Sequence, residues 1–272
     1  MKILVFGGGL GNQIFGYAFY CYLRDKFPKE KIYGIYDKKR LSEHSGLEID
    51  KWFRVKLPPQ KWYATIVVGI LYVLKKMFGY TANIDLSRRE CQNINAIVYF
   101  AFKLNNQYIP DCNFLEWKID ESTLSPLNKR ILIEISNSNS VFIHVRRGDF
   151  FSETYKKLFE GCCPIEYYQK SVEDILEKVE QPRFFCFSDD LDWVKQNLQL
   201  PNVEYIDWNQ GEDSPLDMFL MSQCKYAIMA NSTFSYWAAL LGKKKELVYY
   251  PQKWDNHPYG SPNIFYNHWI SY

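Results

Sequence analysis

The residues best placed to do chemistry sit at the ends of apolar runs. Val141–Asp149 reads VFIHVRRGD: a run of strand-forming residues that closes on two arginines, a glycine and an aspartate. Strand alternation puts Phe142, His144 and Arg146 on one face and Val141, Ile143, Val145 and Arg147 on the other, so His144 and Arg146 share one space. The planar guanidinium fork holds two oxygens at once, which suits Arg146 to a diphosphate, and Gly148 lets the chain turn without a side chain in the way. Arg147 is expected to pair with a carboxylate across the sheet. Asp149 has two readings: it holds an arginine in place, or it takes a proton from an acceptor. After Ala230 the chain reads Asn231-Ser232-Thr233-Phe234 and opens a helix, whose free N–H groups and two hydroxyls can receive phosphate oxygens or simply cap the helix. After Phe6 comes GGGLGNQ. It is not the dinucleotide fingerprint, since Asn12 stands where the last glycine belongs and no acid follows a second clear strand. Its glycines, Gly9 among them, allow close chain approach, and Asn12 and Gln13 can bond hydroxyls or phosphate. Three such junctions point to an enzyme handling a phosphorylated ligand.

Other polar clusters are weaker. In SDDLDW, Asp189 reads as a helix N-cap with Asp192 three residues on, a junction that would repel phosphate. Ser214 and Asp217 have the spacing of a capping box. His44, His257 and His268 stand alone and HExxH is absent, so no metal site is expected. The absence of GxSxG argues against a serine hydrolase.

The elements that must position these groups alternate in the second half of the chain. Strands are expected at 141–145, 184–187, 203–206, 226–230 and 247–250, with helices at 165–179, 190–198, 215–224 and 233–241, a doubly wound α/β pattern. At the start, strand Ile3–Phe6 leads through the glycines into a helix reaching Phe27, with Ile14, Ala18 and Tyr22, and Phe15, Phe19 and Leu23, spaced as an apolar stripe. Between 30 and 60 the chain reads as loops and short elements. Strand signal is weak at Ala96–Phe102, Gln107–Ile109 reads as extended, and Asn137–Ser140 reads as a hinge. Trp62–Leu74 is too short to span a bilayer. A buried helix is expected there, with an interfacial helix edged by Lys75 and Lys76 as the alternative.

The 272 residues can bury a large core, and the formal charge of +2 argues against nucleic acid as a partner. Seven cysteines without zinc-like spacing read as mostly buried thiols in a reducing compartment, and no secretory signal is visible.

Five segments together resemble the bacterial α-1,2-fucosyltransferases of glycosyltransferase family 11: GGLGNQIFGYAF, HVRRGD, FSDDLDWVKQNL, DMFLMSQCKYAIMANSTFSYWAALLG and the late PQKW. The match is poor over 30–135, and Gly16 stands where the family often has Gln. The resemblance implies an α/β fold in the GT-B arrangement, two Rossmann-like domains facing across a cleft. The expected division is residues 1–138 as the acceptor-side domain, 139–250 as the donor-binding domain, and 251–272 as a segment returning to the first. It implies GDP-fucose as donor, a galactose-terminated glycan as acceptor, inversion, no cofactor and no metal, in glycan or O-antigen biosynthesis. Arg146 would hold the β-phosphate with His144 beside the donor and Asp149 as candidate base. Asn231, Ser232, Thr233 and Phe234 would line the nucleotide pocket, and Gly9, Asn12 and Gln13 the other side of the cleft. Asp217 is the candidate to read guanine by family placement, with capping an equal explanation. A cytoplasmic enzyme, peripheral on the inner membrane face, is expected; the oligomeric state is left open. Two alternatives remain: a related sugar-nucleotide transferase of another linkage or sugar, and a non-catalytic carbohydrate-binding protein favoured by the aromatic content.

Overall fold

A computed structural model describes residues 1–42, 45–80, 84–85, 93–100, 105–110, 114–148, 150, 152–242, 244–258 and 261–272. The chain divides into two compact units. The first holds Met1–Ile119 with Pro262–Phe265, and the second holds Asp120–Ser261 with Tyr266–Tyr272.

The first unit opens with β1 (Lys2–Phe6), α1 (Leu10–Lys26), β2 (Ile32–Tyr36), α2 (Lys38–Ser42), α3 (Ile49–Trp52) and α4 (Trp62–Phe78), followed by two short strands, β3 (Ile84–Asp85) and β4 (Val98–Tyr99). All pairings are parallel, in the order β2-β1-β4-β3. Alternation along β1 divides its side chains between two helices. Ile3 and Val5, with Tyr33 and Val98, pack against the Ala64 and Leu71 face of α4. Phe6 meets α1, where a Cβ on Gly16 would fall 2.9 Å from its ring. Glycine at 16 is therefore what lets α1 lie this close to β1.

Several expectations for this region change. Residues 32–36 form a full strand, registered Lys2 with Ile32 through Phe6 with Tyr36. Gly34 had masked it. A side chain there would meet the Tyr36 hydroxyl and the Pro58 carbonyl. An acid does follow this second strand: Asp37, whose Oδ1 accepts from the N–H groups of Lys39 and Arg40 at the start of α2. The segment expected to be extended at 107–109 begins in a 3₁₀ turn, Asn106–Tyr108, capped by the Asn105 side chain. Of the strand signal at 96–102, Val98–Tyr99 is strand, and 101–102 lie outside the described residues.

Helix α4 departs most from expectation. It runs 17 residues, yet only Ala64 and Leu71 are buried. It is a half-covered helix, not a buried one.

The second unit contains α5 (Pro126–Ser136), β5 (Asn139–Val145), α6 (Lys156–Phe159), α7 (Ile165–Lys178), β6 (Pro182–Ser188), α8 (Leu191–Asn197), β7 (Val203–Ile206), α9 (Pro215–Gln223), β8 (Tyr226–Ile228), α10 (Thr233–Leu240), β9 (Leu247–Tyr250) and β10 (Ile270–Ser271). Its sheet is parallel throughout, in the order β10-β9-β8-β5-β6-β7. Val141, Ile143 and Val145 pack with Tyr167, Tyr168, Val172 and Ile175 of α7 and Val194 of α8. Residues 137–138 join α5 to β5, and 139–140 open that strand, inside this unit, which begins at Asp120. Near the C-terminus, Pro262–Phe265 group with the first unit, where Asn106 donates through its N–H to the Asn263 carbonyl. The pairing of β10 with β9 keeps the last residues in the second.

The α1–β1 contact makes Gly16→Ala a test of packing. Ala normally stabilises a helix interior by about 1 kcal/mol over Gly, but overpacking a close contact costs about 1–3 kcal/mol. The substitution is expected to lower the Tm in thermal unfolding followed by circular dichroism; an unchanged or higher Tm would contradict the contact.

Candidate functional site

The second unit reverses its strand order beside β5. The chain steps from β5 to β6 and β7 on one side, then returns to β8, β9 and β10 on the other. Ligands in such open parallel sheets bind outside the carboxyl ends of the strands at this switch point. The two motifs read from sequence occupy it. HVRRGD leaves β5 and NSTF leaves β8, with Ile143 registered beside Ile228.

On the β6 side, Val145 pairs with Ser188. Parallel register then carries Arg146-Arg147 past Asp189-Asp190. Arg146 Nε lies 3.2 Å from Asp189 Oδ2, and Arg147 Nε lies 3.1 Å from Asp190 Oδ2. The other oxygen of Asp189 accepts from the Arg147 backbone N–H at 2.7 Å. The Arg147 guanidinium also stacks 3.8 Å from the Trp193 ring centroid. The structural role expected for Arg147 is met. The expected role of Asp189 is corrected: it holds Arg146 and the Arg147 amide, while Asp190 caps α8 by accepting from the Trp193 N–H at 3.2 Å. Gly148 has a further reason to be glycine, since a Cβ there would come 2.9 Å from Asp189 Oδ2. The Arg146 side chain remains 33 % exposed at the mouth of the strand. Asp149 lies outside the described residues.

On the β8 side, the Ser232 hydroxyl caps α10 by accepting from the Phe234 N–H, and Thr233 is the first helical residue. Asn231 is buried and donates its side-chain N–H to the Trp254 carbonyl at 2.8 Å, whereas its Oδ1 is buried with no hydrogen-bond partner. The His144 ring lies 6.0 Å from the Phe234 ring. Its Nδ1 is likewise buried and unpartnered. Burial, aided by the Arg146 charge, lowers its pKa to about 3, so the imidazole is neutral at any physiological pH. A buried polar atom left unpaired costs about 1–3 kcal/mol. Asn231 Oδ1 can only accept and so calls for a donor on a ligand, while the positive strand tip and the helix N-terminus attract an anion.

Asp217 lies on the first turn of α9 in the same unit. No capping box forms: Ser214 has helical backbone angles and its side chain makes no cap bond. Instead Asp217 Oδ1 accepts from Asn209 Nδ2 at 2.7 Å. Asn209 is fixed by reciprocal amide bonds with buried Asn128, which also accepts from Trp208 Nε1. Burial raises the Asp217 carboxyl to about 7, against the smaller lowering effect of Asn209. Sequence reading did not find Asn128 and Asn209; their separation of 81 positions gives no local signal.

The β1 junction in the first unit behaves differently. Gly9 is the N-cap residue of α1, and its carbonyl accepts from the N–H groups of Asn12 and Gln13. Gly8 adopts φ +78°, and a Cβ there would strike the Asn12 side chain. Asn12 Oδ1 is buried without a partner. Gln13 is wholly buried and bonded at both ends: its Nε2 donates to the carbonyls of Gly8 and Gly46, and its Oε1 accepts from the N–H groups of Glu48 and Ile49. Gln13 therefore braces the loop and has no amide group left for a ligand. Among the described residues, no group of three or more His, Cys, Asp or Glu side chains could hold a metal ion.

The family model described as glycosyl transferase family 11 matches residues 80–272. The chain is 30% identical to an alpha-1,2-colitosyltransferase of Escherichia coli, covering 89% of this chain and 88% of that one. It is 27% identical to the O-antigen biosynthesis glycosyltransferase WbnK of Escherichia coli, covering 91% and 92%. Human galactoside alpha-(1,2)-fucosyltransferase 1 matches at 27% identity over 37% of this chain and 28% of its own. Among solved structures, fucosyltransferase NodZ from Bradyrhizobium superposes with a TM-score of 0.53 at 11% identity, covering 89% of this chain and 92% of that one. That likeness supports the α/β, GT-B class of fold expected from the sequence. With two parallel-sheet units and a motif-bearing switch point, the chain belongs to glycosyl transferase family 11.

Proposed function

We propose that this glycosyltransferase moves L-fucose from GDP-fucose to the 2-hydroxyl of a terminal galactoside, with inversion and without a metal. The observation that carries the reading is the pairing of β5 between β6 and β8, with Arg146 between an acid clamp and the start of α10. The acid side disfavours an anion and the helix side attracts one, so a diphosphate is drawn toward Asn231, Ser232, Thr233 and Phe234. The acceptor oxygen attacks the anomeric carbon as the bond to the diphosphate breaks. Arg146 and the α10 N–H groups take up the charge that develops there. His144 contributes a neutral hydrogen bond, and Asp149 is the nominated base for the hydroxyl proton. Asp217 reads guanine N1–H and N2–H from its Asn209 mount. In this reading 139–250 form the donor domain, and residues 1–138, with Gly9 and Asn12, serve the acceptor. Gln13 supports that loop from behind.

The galactoside alpha-(1,2)-fucosyltransferase relatives favour fucose as the sugar and O2 as the site of transfer. The alpha-1,2-colitosyltransferase likeness favours a second reading, colitose as the sugar. The two sugars differ at the 3-hydroxyl. A site built to bond that hydroxyl rejects its absence by about 10⁴-fold. The deciding experiment measures kcat/KM for GDP-fucose, GDP-colitose and GDP-mannose on a panel of terminal galactosides, with product linkage assigned by NMR. Fucose on galactose O2 is expected; preferential colitose transfer would establish the second reading, and a bond to another carbon would defeat both.

Two variants probe the mechanism. Arg146→Ala is expected to lose about 10²–10³-fold in kcat, the cost of a lost oxyanion donor, while its circular dichroism spectrum stays native; near-normal turnover would remove Arg146 from the reaction. Asp217 must lose its proton to accept from guanine. With its carboxyl near 7, the donor KM should fall about tenfold between pH 6 and pH 8, and Asp217→Asn should flatten that profile. Stability runs the opposite way. A raised carboxyl favours the folded state fully below its unfolded value near 4, and the benefit is gone above about 7. Asp217→Asn should therefore gain in Tm relative to the parent as pH rises from 5 to 8. A parallel shift at every pH would refute the buried carboxyl.

A further inference from the structure

Helix α4 has apolar residues on both of its faces. Ala64 and Leu71 face the first unit's sheet, with Tyr63, Val67, Val68 and Leu74 packed around them. The opposite face carries Trp62, Ile66, Ile70, Val73 and Met77, spaced four, four, three and four residues apart, and all five are exposed, from 51 % for Ile66 to 75 % for Trp62. Tyr72, Phe78 and Tyr80 add exposed aromatic surface. Monomeric soluble proteins seldom leave so continuous an apolar stripe in water.

The chain segment that carries this stripe has charge of one sign. From Lys51 to Ile84 the chain contains no Asp or Glu, but it carries Lys51, Arg54, Lys56, Lys61, Lys75 and Lys76. The whole chain has a net charge of only +2, so this segment is a local concentration of positive charge. Arg54 is drawn toward Glu116 at 3.4 Å; Lys61 precedes the helix and Lys75 and Lys76 form its last turn.

We propose that α4 docks this protein on an anionic lipid bilayer. The helix lies in the plane of the interface, with Trp62, Ile66, Ile70, Val73 and Met77 in the acyl boundary and its terminal lysines among the headgroups. No helix among the described residues is long and apolar enough to cross a membrane. Seventeen residues span about 25 Å, and one whole side of α4 is committed to the sheet, so an in-plane pose is the one its geometry allows. Trp62 at one end and Phe78 and Tyr80 at the other stand where interfacial aromatic rings settle. A second copy of the chain fits less well. Helices paired antiparallel would set Lys61 against the partner's terminal lysines, and parallel pairing would set each cluster on itself. The segment offers no acid to offset either.

The test is co-sedimentation of the full chain with vesicles of phosphatidylcholine containing about 30 % phosphatidylglycerol, against vesicles of phosphatidylcholine alone. Binding is expected on the anionic vesicles and should weaken as salt rises. Ile66→Glu with Val73→Glu should reduce it by about tenfold or more, each buried charge opposing insertion. Lys75→Glu with Lys76→Glu, which leaves the apolar stripe intact, should reduce it as well. Both double variants should keep the parent Tm and the parent transfer rate on a soluble acceptor, which shows that they fold. Three results would overturn the proposal: a parent protein that stays in the supernatant, equal sedimentation with neutral vesicles, or a dimer in light scattering that Ile66→Glu with Val73→Glu converts to monomer.

Discussion

The registration of two arginines against two aspartates governs the second unit. A parallel ladder aligns residues in the same chain direction, so once Val145 pairs with Ser188, the residues that follow must run side by side. Arg146-Arg147 and Asp189-Asp190 are thus matched two by two at the strand ends. Each pair is partly exposed, and such ion pairs add about 0–1 kcal/mol of stability. Their value lies in orientation. Two adjacent guanidinium groups would repel and spread into solvent; the carboxylates hold one against Trp193 and the other at the strand mouth. Asp189 adds a backbone anchor through the Arg147 amide, which ties the turn itself to β6.

This clamp gives the site a direction. On the β6 side, negative charge sits at the start of α8 and cancels the helix's attraction for anions. On the β8 side, α10 begins with Ser232 and Thr233 and has no acid in its first turn. Arg146 stands between a neutralised helix end and an open one, and a phosphorylated ligand is favoured on the open side. The sheet order makes this possible, because only at the switch point does one strand have separate crossover connections on its two flanks.

Much of this was legible in the sequence, for reasons that also explain what was not. Strands buried on both faces give continuous apolar runs, so β5, β6, β8 and β9 could be read directly. Two strands of the first unit were harder to read. Strand β2 is interrupted by Gly34 and was missed, and β4, two residues long, left only a weak signal at 96–102. The cap at Asp190 was misread by one residue because β6 runs to Ser188 and Asp189 turns toward Arg147. Asn128 and Asn209 meet only through the fold. Gln13 has the chemistry of a ligand contact, but four backbone groups claim it first. Helix α4 shows the limit of periodicity most clearly. An apolar helix with no polar stripe carries no mark of which side the sheet will cover, so the sequence could not say that the other side stays in water.

Burial acts on His144 and Asp217 in the same sense. It holds His144 unprotonated and favours the protonated carboxyl of Asp217, drawing both toward neutrality. Near neutral pH His144 cannot act as a cationic acid, and Asp217 is committed at one oxygen to Asn209. Among the described residues, the fixed charges at the β5 mouth are the guanidinium groups and their carboxylate partners. His144 and Asp217 are thus poorly equipped to shuttle protons, whereas the guanidinium group held at the strand mouth is well equipped to bind an anion in one orientation. On the proposed function, the rate advantage comes from stabilising a leaving group and aligning the attacking oxygen. Under that proposal, the division of labour suits a transfer in which the bond to the diphosphate breaks ahead of deprotonation, because the charge needing immediate stabilisation is the one assigned to Arg146.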